Sequence, residues 1–360
     1  MALSLSKCEY HRGSENRRVL FVNSLDERYG STYRLRALRK SLANLPGVTT
    51  VISEANASAV RKLFVALRAA FGRYDILVTQ KFNPITVAAL IVAGLRRRAR
   101  IVDWDDLEEG WQRGRFRRCA ARACERLGPR LADLVTTHSP AIGERLKRRG
   151  AHYLHVPQGF DADLFRPDAA VRAATRRDLG FSDEDRIVGH LCTLTRGGAA
   201  HLETIVRTWA KLEEPSIRFL LVGGGPLDGW ADRLLAAYGI SKRVVRTGLV
   251  PHEKIPGLLQ SMDVGVIYMS DSEADQARVS FKVLEYLALN IPVVGRVSGE
   301  TRRLFGTWID HCERENFADT IRAVLERKSN RSGSADLAQY AWDRATAPFR
   351  DAVAQLCKER

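Results

Sequence analysis

Short, almost unbroken apolar runs alternate with helical stretches twice along this chain, and that repetition constrains its fold more than any other feature. The first series opens at Arg17–Ser24 (RRVLFVNS). So compact a run, without polar alternation, is the pattern of a strand buried on both faces of a parallel sheet. Further strands are expected at Thr49–Ser53, Asp75–Thr79, Arg100–Trp104, Leu134–Thr137 and Tyr153–Pro157. Helical patterns separate them at Leu35–Leu45, Ser58–Phe71, Ile85–Arg97, Arg113–Leu127 and Pro140–Arg149. The second series places strands at Arg186–Cys192, Arg218–Val222, Val244–Thr247, Val264–Tyr268 and Pro292–Gly295. Its helices fall at His201–Leu212, Trp230–Tyr238, Ile255–Gln260, Lys282–Leu289, Asn316–Arg327 and Trp342–Lys358.

Strands alternating with helices of this length make an α/β chain with two doubly wound parallel sheets. The expected division is a first domain over 1–165, a polar connection over 166–185, and a second domain over 186–339. The closing helix, 340–360, is expected to pack back on the first domain. Ligands of such sheets bind beyond the carboxyl ends of the strands, so the two domains are expected to face a common cleft.

A length of 360 residues suits two such domains, and 45% hydrophobic with 28% charged residues excludes wholesale disorder. The longest apolar run, Pro84–Leu95, falls short of the ~20 residues that a membrane-spanning helix needs. The opening MALSLSKCEYHRGSEN lacks a sustained apolar core, so a cytoplasmic location is expected. Six cysteines lie scattered without a C-x-x-C pair, so neither a disulfide framework nor a zinc site is expected.

The net charge of +15 is uneven: +13 falls on residues 1–165 and +2 on the rest. The densest clusters are Arg96–Arg100, Arg113–Arg118 and Arg145–Arg149. Such a field draws anionic lipid surfaces or phosphorylated substrates. Nucleic acid is not expected, because no aromatic-interleaved or recognisable reading motif accompanies the charge.

The segment Ser280–Gly295 (SFKVLEYLALNIPVVG) carries chemistry. A helix opening at Ser280 and Phe281 sets Lys282 and Glu285 three residues apart on its first turns. Its amino end offers free N–H donors and partial positive charge, which suit a phosphate. A plain surface ion pair is the alternative.

This segment resembles the donor-binding signature of the retaining glycosyltransferases of family 4, whose two-domain architecture is the GT-B fold. Four further stretches follow the family's order. They are HVPQGFDADLFRPD (His155–Asp168), LVGGGPL (Leu221–Leu227), VRTGLVPHEKIPGLLQSMDVGV (Val245–Val266) and YAWDRATAPFRDAV (Tyr340–Val353). The resemblance implies that Glu285 holds the ribose hydroxyls of a nucleotide donor, with Val250 in the loop flanking the base. Arg278, Lys282, Ser280 and Phe281 would then face its phosphates. The first Glu of the family's Glu-x7-Glu falls on Ala277 here, with Glu273 and Asp275 nearby. The family's Arg-x4-Lys loop is represented by CTLTRGGAAH (Cys192–His201), with Arg196 as its cation and Gly197 and Gly198 beside it.

In the first domain, Gly30 and Ser31 stand where a strand-to-helix loop would admit a phosphate or an acceptor. IVDWDDLEEG (Ile101–Gly110) places Asp105 and Asp106 where the family has His-Asp. Asp105 there suits orientation of an acceptor hydroxyl or uptake of its proton, and the alternative is a helix N-cap. Asp103-Trp104-Asp105 also spells the D-x-D metal motif of the other glycosyltransferase fold, but the donor residues lie in the second domain and no metal is expected.

The resemblance therefore implies a metal-independent, cofactor-free hexosyltransferase that moves a sugar from a nucleoside-diphosphate donor, UDP being the expected base, to an acceptor hydroxyl. A lipid-linked or cell-envelope acceptor and a peripheral position on the inner membrane face fit the basic first domain. A nucleotide-sugar 2-epimerase of the same fold and a catalytically silent nucleotide-sugar-binding protein are the alternatives.

Overall fold

The computed structural model describes residues 17–23, 30–54, 67, 71–112, 114–195, 197, 199, 201–327 and 337–359. They divide into two compact units. Unit 1 comprises Met1–Gly159, Ala277–Val279 and Trp342–Arg360; unit 2 comprises Phe160–Gln276 and Ser280–Ala341.

Unit 1 is built on β1 (Arg17–Asn23), β2 (Val48–Glu54), β3 (Ile76–Gln80), β4 (Ala99–Asp103), β5 (Leu134–Thr137) and β6 (Tyr153–His155). They form one sheet in the order β2-β1-β3-β4-β5-β6, parallel at every pairing. The strand order reverses beside β1, and the apolar runs fill both faces of the sheet, as a doubly wound sheet requires. On one face Val19, Phe21, Ile76 and Val78 pack with Leu35 and Leu38 of the helix Gly30–Ser41. Phe349, Val353 and Leu356 of the helix Ala347–Glu359 complete that layer. On the other face Leu77, Val102 and Val135 pack with Leu90 and Ala93 of the helix Pro84–Leu95. The expected helix over Ser58–Phe71 falls almost wholly outside the described residues.

Unit 2 repeats the plan with β7 (Arg186–Leu191), β8 (Ile217–Val222), β9 (Val244–Arg246), β10 (Val264–Tyr268), β11 (Val293–Arg296) and β12 (Ile309–His311). Its order, β12-β11-β10-β7-β8-β9, is again parallel throughout. The order reverses between β7 and β10, and the crevice outside the carboxyl ends of those strands is the ligand position of such a sheet.

The stretch 166–185, expected as a connection, instead contains the helix Ala169–Asp178 within unit 2. Asp168 caps it by accepting from the amides of Ala170 and Val171. Arginines rather than an apolar stripe dock it. Arg172 donates to the carbonyls of Gln260 and Met262 and to Asp263, while Arg176, buried, donates to Asp263 and the carbonyl of Ser261. A helix held by guanidinium groups leaves no apolar periodicity to read.

Candidate functional site

The carboxyl edge of the second sheet is shaped first by backbone. The loop after β8 lies flush on the loop after β7: Leu194 N–H donates to Gly224 O at 3.0 Å, and Leu227 N–H returns to Leu194 O at 3.0 Å. Gly223, at φ +114°, is required there, because a Cβ would sit 2.1 Å from the carbonyl oxygen of Cys192. This stacking sets the exit of the loop that carries Arg196, Gly197 and Gly198. Gly197 is half-buried; Arg196 and Gly198 lie outside the described residues.

The helix Phe281–Ala288 forms the next wall, with Ser280 at its N-cap position. Ser280 is buried and its N–H donates to the Thr301 hydroxyl at 3.1 Å, while its own side chain makes no cap bond. Val283, Leu284, Tyr286 and Leu287 are buried, which explains why an eight-residue helix is stable here. Tyr286 is the pin: its hydroxyl accepts the N–H of Leu191, the last residue of β7, at 2.8 Å. Gly265 makes room for the ring, since a Cβ there would lie 2.9 Å from it.

That pinning sets Lys282, half-buried, and Glu285, buried, at the carboxyl edge. Burial pushes the Glu285 carboxyl up to about 7, against the opposing influence of Lys282. His190, buried, is held well below the usual imidazole range by burial and then by Lys282 and, more weakly, His201. Its Nδ1 pairs with Val266 O at 2.8 Å. Burial lifts the Cys192 thiol to about 11, so it stays protonated. Phe281 is half-buried beside Lys282. Val250, also half-buried, lies in the loop after β9, which is tied back when Gly223 N–H donates to the Thr247 hydroxyl at 3.1 Å. Arg278 is half-buried and belongs to the Ala277–Val279 segment that clusters with unit 1.

Asp275 supplies a group that sequence reasoning placed only vaguely. It is fully buried, and its Oδ2 accepts from the amide of Ser270 at 2.8 Å and its hydroxyl at 2.6 Å. His201 Nε2 meets the same oxygen at 2.8 Å. His201 lies five residues after Arg196, the spacing of Arg-x4-Lys with histidine in the lysine position. That spacing is the signal which would have found it.

In unit 1 the acidic stretch encloses a lysine. Lys81, buried, reaches Glu108 at 2.6 Å, Asp106 at 3.5 Å and Asp105 at 3.7 Å. Burial alone would depress its ammonium, but Asp105, Glu108 and Asp106 together hold it well above the usual lysine range. Lys81 also adopts φ +62°, a left-handed conformation that a non-glycine residue keeps only when its surroundings fix it. Asp105, buried, additionally accepts from Gln80 at 3.2 Å. It does not cap a helix: the N-cap of Glu108–Trp111 is Leu107. Asp103 is taken up elsewhere, bound by Arg34 through Nε at 2.8 Å and Nη2 at 2.9 Å and by the Thr136 hydroxyl at 2.7 Å. Arg34 and Lys81 were not singled out from sequence, because single cations in helical or strand-end contexts look like solvated surface. Gly30 and Ser31 open the helix Gly30–Ser41, and their side chains lie outside the described ones.

Residues 185–327, most of unit 2, match the family model described as glycosyl transferases group 1. Over that stretch the chain is similar to that family. Among its relatives, the GDP-mannose-dependent alpha-(1-6)-phosphatidylinositol monomannoside mannosyltransferase of Mycolicibacterium smegmatis is 30% identical over 199 residues, 53% of this chain and 50% of that protein. The chain spans about half the length of the curated relatives it matches. The fold is shared with Anabaena HepE, solved in complex with UDP and glucose, at a TM-score of 0.68 and 18% identity over 96% of this chain and all of that one (100%). A UDP-N-acetylglucosamine 2-epimerase shares it at a TM-score of 0.62 and 13% identity, over 96% and 97% of the two chains. These likenesses show two Rossmann-like parallel-sheet domains of the GT-B type.

The burial of Glu285 has a consequence for stability. The ordinary glutamate value is 4.5 and the folded one about 7, so the folded state holds this proton more tightly. The associated stability is complete below 4.5 and is lost as pH rises toward 7. Glu285→Gln, uncharged at any pH, is expected to melt above the wild type at pH 8 and level with it near pH 4.5 in scanning calorimetry. A variant that melts lower at pH 8 contradicts the assignment.

Proposed function

We propose that this chain transfers a glycosyl unit from a nucleoside-diphosphate sugar to an acceptor hydroxyl with retention of anomeric configuration. The observation that carries the reading is the pinned helix Phe281–Ala288, which holds Lys282 beside a buried Glu285 at the carboxyl edge of the second sheet.

The demanding event is departure of the sugar, which leaves charge on the distal phosphate and oxocarbenium character on the ring. Lys282 and the amides opening its helix stabilise the phosphate charge as it grows, and the family resemblance gives Arg196 the part of a further, bidentate cation. Glu285 takes the ribose hydroxyls. In this role its raised value is met by hydrogen bonds that favour the carboxylate, so ligand binding offsets part of the cost of burying it. The nucleophile attacks on the face the leaving phosphate vacates, that phosphate accepting its proton.

UDP is the base expected from the resemblance, whereas the relatives at 27–30% identity are named GDP-mannose-dependent. Both bases therefore enter the test. Thermal unfolding is expected to rise by several degrees with UDP or GDP in large excess, because a ligand of the folded state stabilises by mass action. Glu285→Ala should remove that rise and Lys282→Ala reduce it. An unchanged rise in Glu285→Ala contradicts the donor site.

The acceptor in this reading is lipid-linked. The relative's name includes a phosphatidylinositol monomannoside, and unit 1 offers a surface suited to anionic lipid. In the helix Arg115–Leu127, Arg115, Arg117, Arg118, Arg122 and Arg126 are exposed, with Phe116 at 87% and Leu127 at 52% exposure. Arginines beside protruding apolar side chains are the pattern of an interfacial helix, which supports a peripheral position on a membrane. Sedimentation with phosphatidylglycerol vesicles is expected, with retention falling in Phe116→Ser and absent on neutral phosphatidylcholine. Equal, negligible retention on both removes the membrane part of the reading.

A further inference from the structure

The helix Arg115–Leu127 runs for 13 residues, yet only Ala121 and Glu125 of it are buried. An element with so little apolar burial owes its place to whatever holds those two side chains. Glu125 is 1% exposed, and its Oε1 accepts the amide of Glu109 at 3.0 Å, with the amide of Glu108 bearing on the same carboxyl. Those two amides open the helix Glu108–Trp111, whose own N-cap residue, Leu107, supplies no side-chain bond. Glu125 therefore caps a helix to which it does not belong. Its Oε2 is buried and meets no hydrogen-bond partner among the described residues. A charge on that oxygen is served by nothing, and a proton relieves it. Gly114, at the start of the longer helix, takes φ +89° with open space where a Cβ would stand, so the turn between the two helices has room to move.

The capped helix reaches the Lys81 cluster. Glu108 takes the Lys81 ammonium at 2.6 Å, and the same ammonium lies 3.7 Å from Asp105. One line of contacts thus runs from Glu125 through the helix Glu108–Trp111 and Lys81 to Asp105. The charges around Glu125 pull both ways. Glu108 favours the proton, and Arg145 of the helix Pro140–Lys147 opposes it. Arg149 donates to the Glu125 carbonyl at 2.7 Å, while Arg122 is drawn off by Glu109 at 2.8 Å. Arg130 of the turn Gly128–Leu131 is exposed, and the helix Pro84–Leu95, also packed here, brings no charge. Burial outweighs these influences and lifts the Glu125 carboxyl to about 7.

We propose that Glu125 is a positioning residue for the Asp105 edge of unit 1: with its proton it caps the helix Glu108–Trp111 and holds Glu108 on Lys81, and without it the helix Arg115–Leu127 lifts and Glu108 leaves Lys81 to Asp105 and Asp106. The inference rests on the function proposed above only in taking Asp105 as the acceptor side. The held carboxyl keeps its proton up to about 7 and the lifted one to the ordinary 4.5. Holding is therefore strongest below 4.5, weakens by about tenfold per pH unit as pH rises toward 7, and levels off above. No bond other than O–H forms or breaks, and the proton exchanges with solvent.

The test is hydrogen exchange of the full chain at pH 6 and pH 8, read peptide by peptide and corrected for the intrinsic rates. In the wild type, the amides of Arg115–Leu127 should open about tenfold more often at pH 8 than at pH 6. Glu125→Gln, which keeps the acceptor for the Glu109 amide and carries no charge, should hold the low opening at both values. Glu125→Ala should open at both. Equal opening at the two pH values in the wild type, or a pH dependence retained in Glu125→Gln, overturns the inference. Labelling with acetic anhydride at pH 8 reads the link to Lys81. Lys81 should react severalfold faster in the wild type than in Glu125→Gln, with exposed Lys147 reacting alike in both. Equal Lys81 rates overturn the coupling to Asp105. Neither readout uses a nucleotide, so failure of the donor site would leave this result standing, and the reverse holds too.

Discussion

One hydrogen bond fixes the part of the molecule that matters most. The N–H of Leu191 donates to the Tyr286 hydroxyl at 2.8 Å, joining the end of β7 to the middle of an eight-residue helix. A helix that short has little stability of its own, and a fully buried phenol without a partner is costly. The bond answers both needs, and it sets the height and rotation of the helix against the sheet. Lys282 and Glu285 reach the carboxyl edge because Tyr286 is held, and Gly265 permits the ring to approach.

Buried charge is handled in two ways. At Arg34 and Lys81 of unit 1 it is satisfied internally. Arg34 and Asp103 form a bidentate pair with no measurable exposure, and Lys81 is ringed by three carboxylates. Such pairs are costly to break and add little to net stability, so they serve mainly to fix strand ends in place. In unit 2, burial instead favours the neutral forms of His190, Cys192 and Glu285 around Lys282. Neutral His190, Cys192 and Glu285 beside a lysine suit an anionic ligand, and the cost of holding Glu285 there is what a binding site, rather than a stability element, would carry.

Much of this was legible in the sequence because a strand buried on both faces leaves an uninterrupted apolar run. Leu134–Thr137 and Val264–Tyr268 were read with their observed bounds, and Ile255–Gln260 likewise. The three-residue β12 was missed because Ile309–His311 offers one apolar residue to read. Ala169–Asp178 was missed because arginines dock it, and Glu273–Ala277 because five residues give no helical period. Within the site, Ser280, Lys282 and Glu285 followed from a helix start beside a charged pair. Asp275 and His201 did not, because their pairing spans 74 residues and depends on β7 and β10 being neighbours, which no local pattern encodes.

The most direct test of the central claim is a crystal structure of the chain with a bound nucleoside diphosphate. The account predicts the diphosphate against Lys282 and the amides of the Phe281–Ala288 helix start, with the ribose hydroxyls on Glu285 and the Leu191–Tyr286 hydrogen bond intact. A diphosphate bound away from that helix start, with Glu285 making no contact to the ribose, would contradict it.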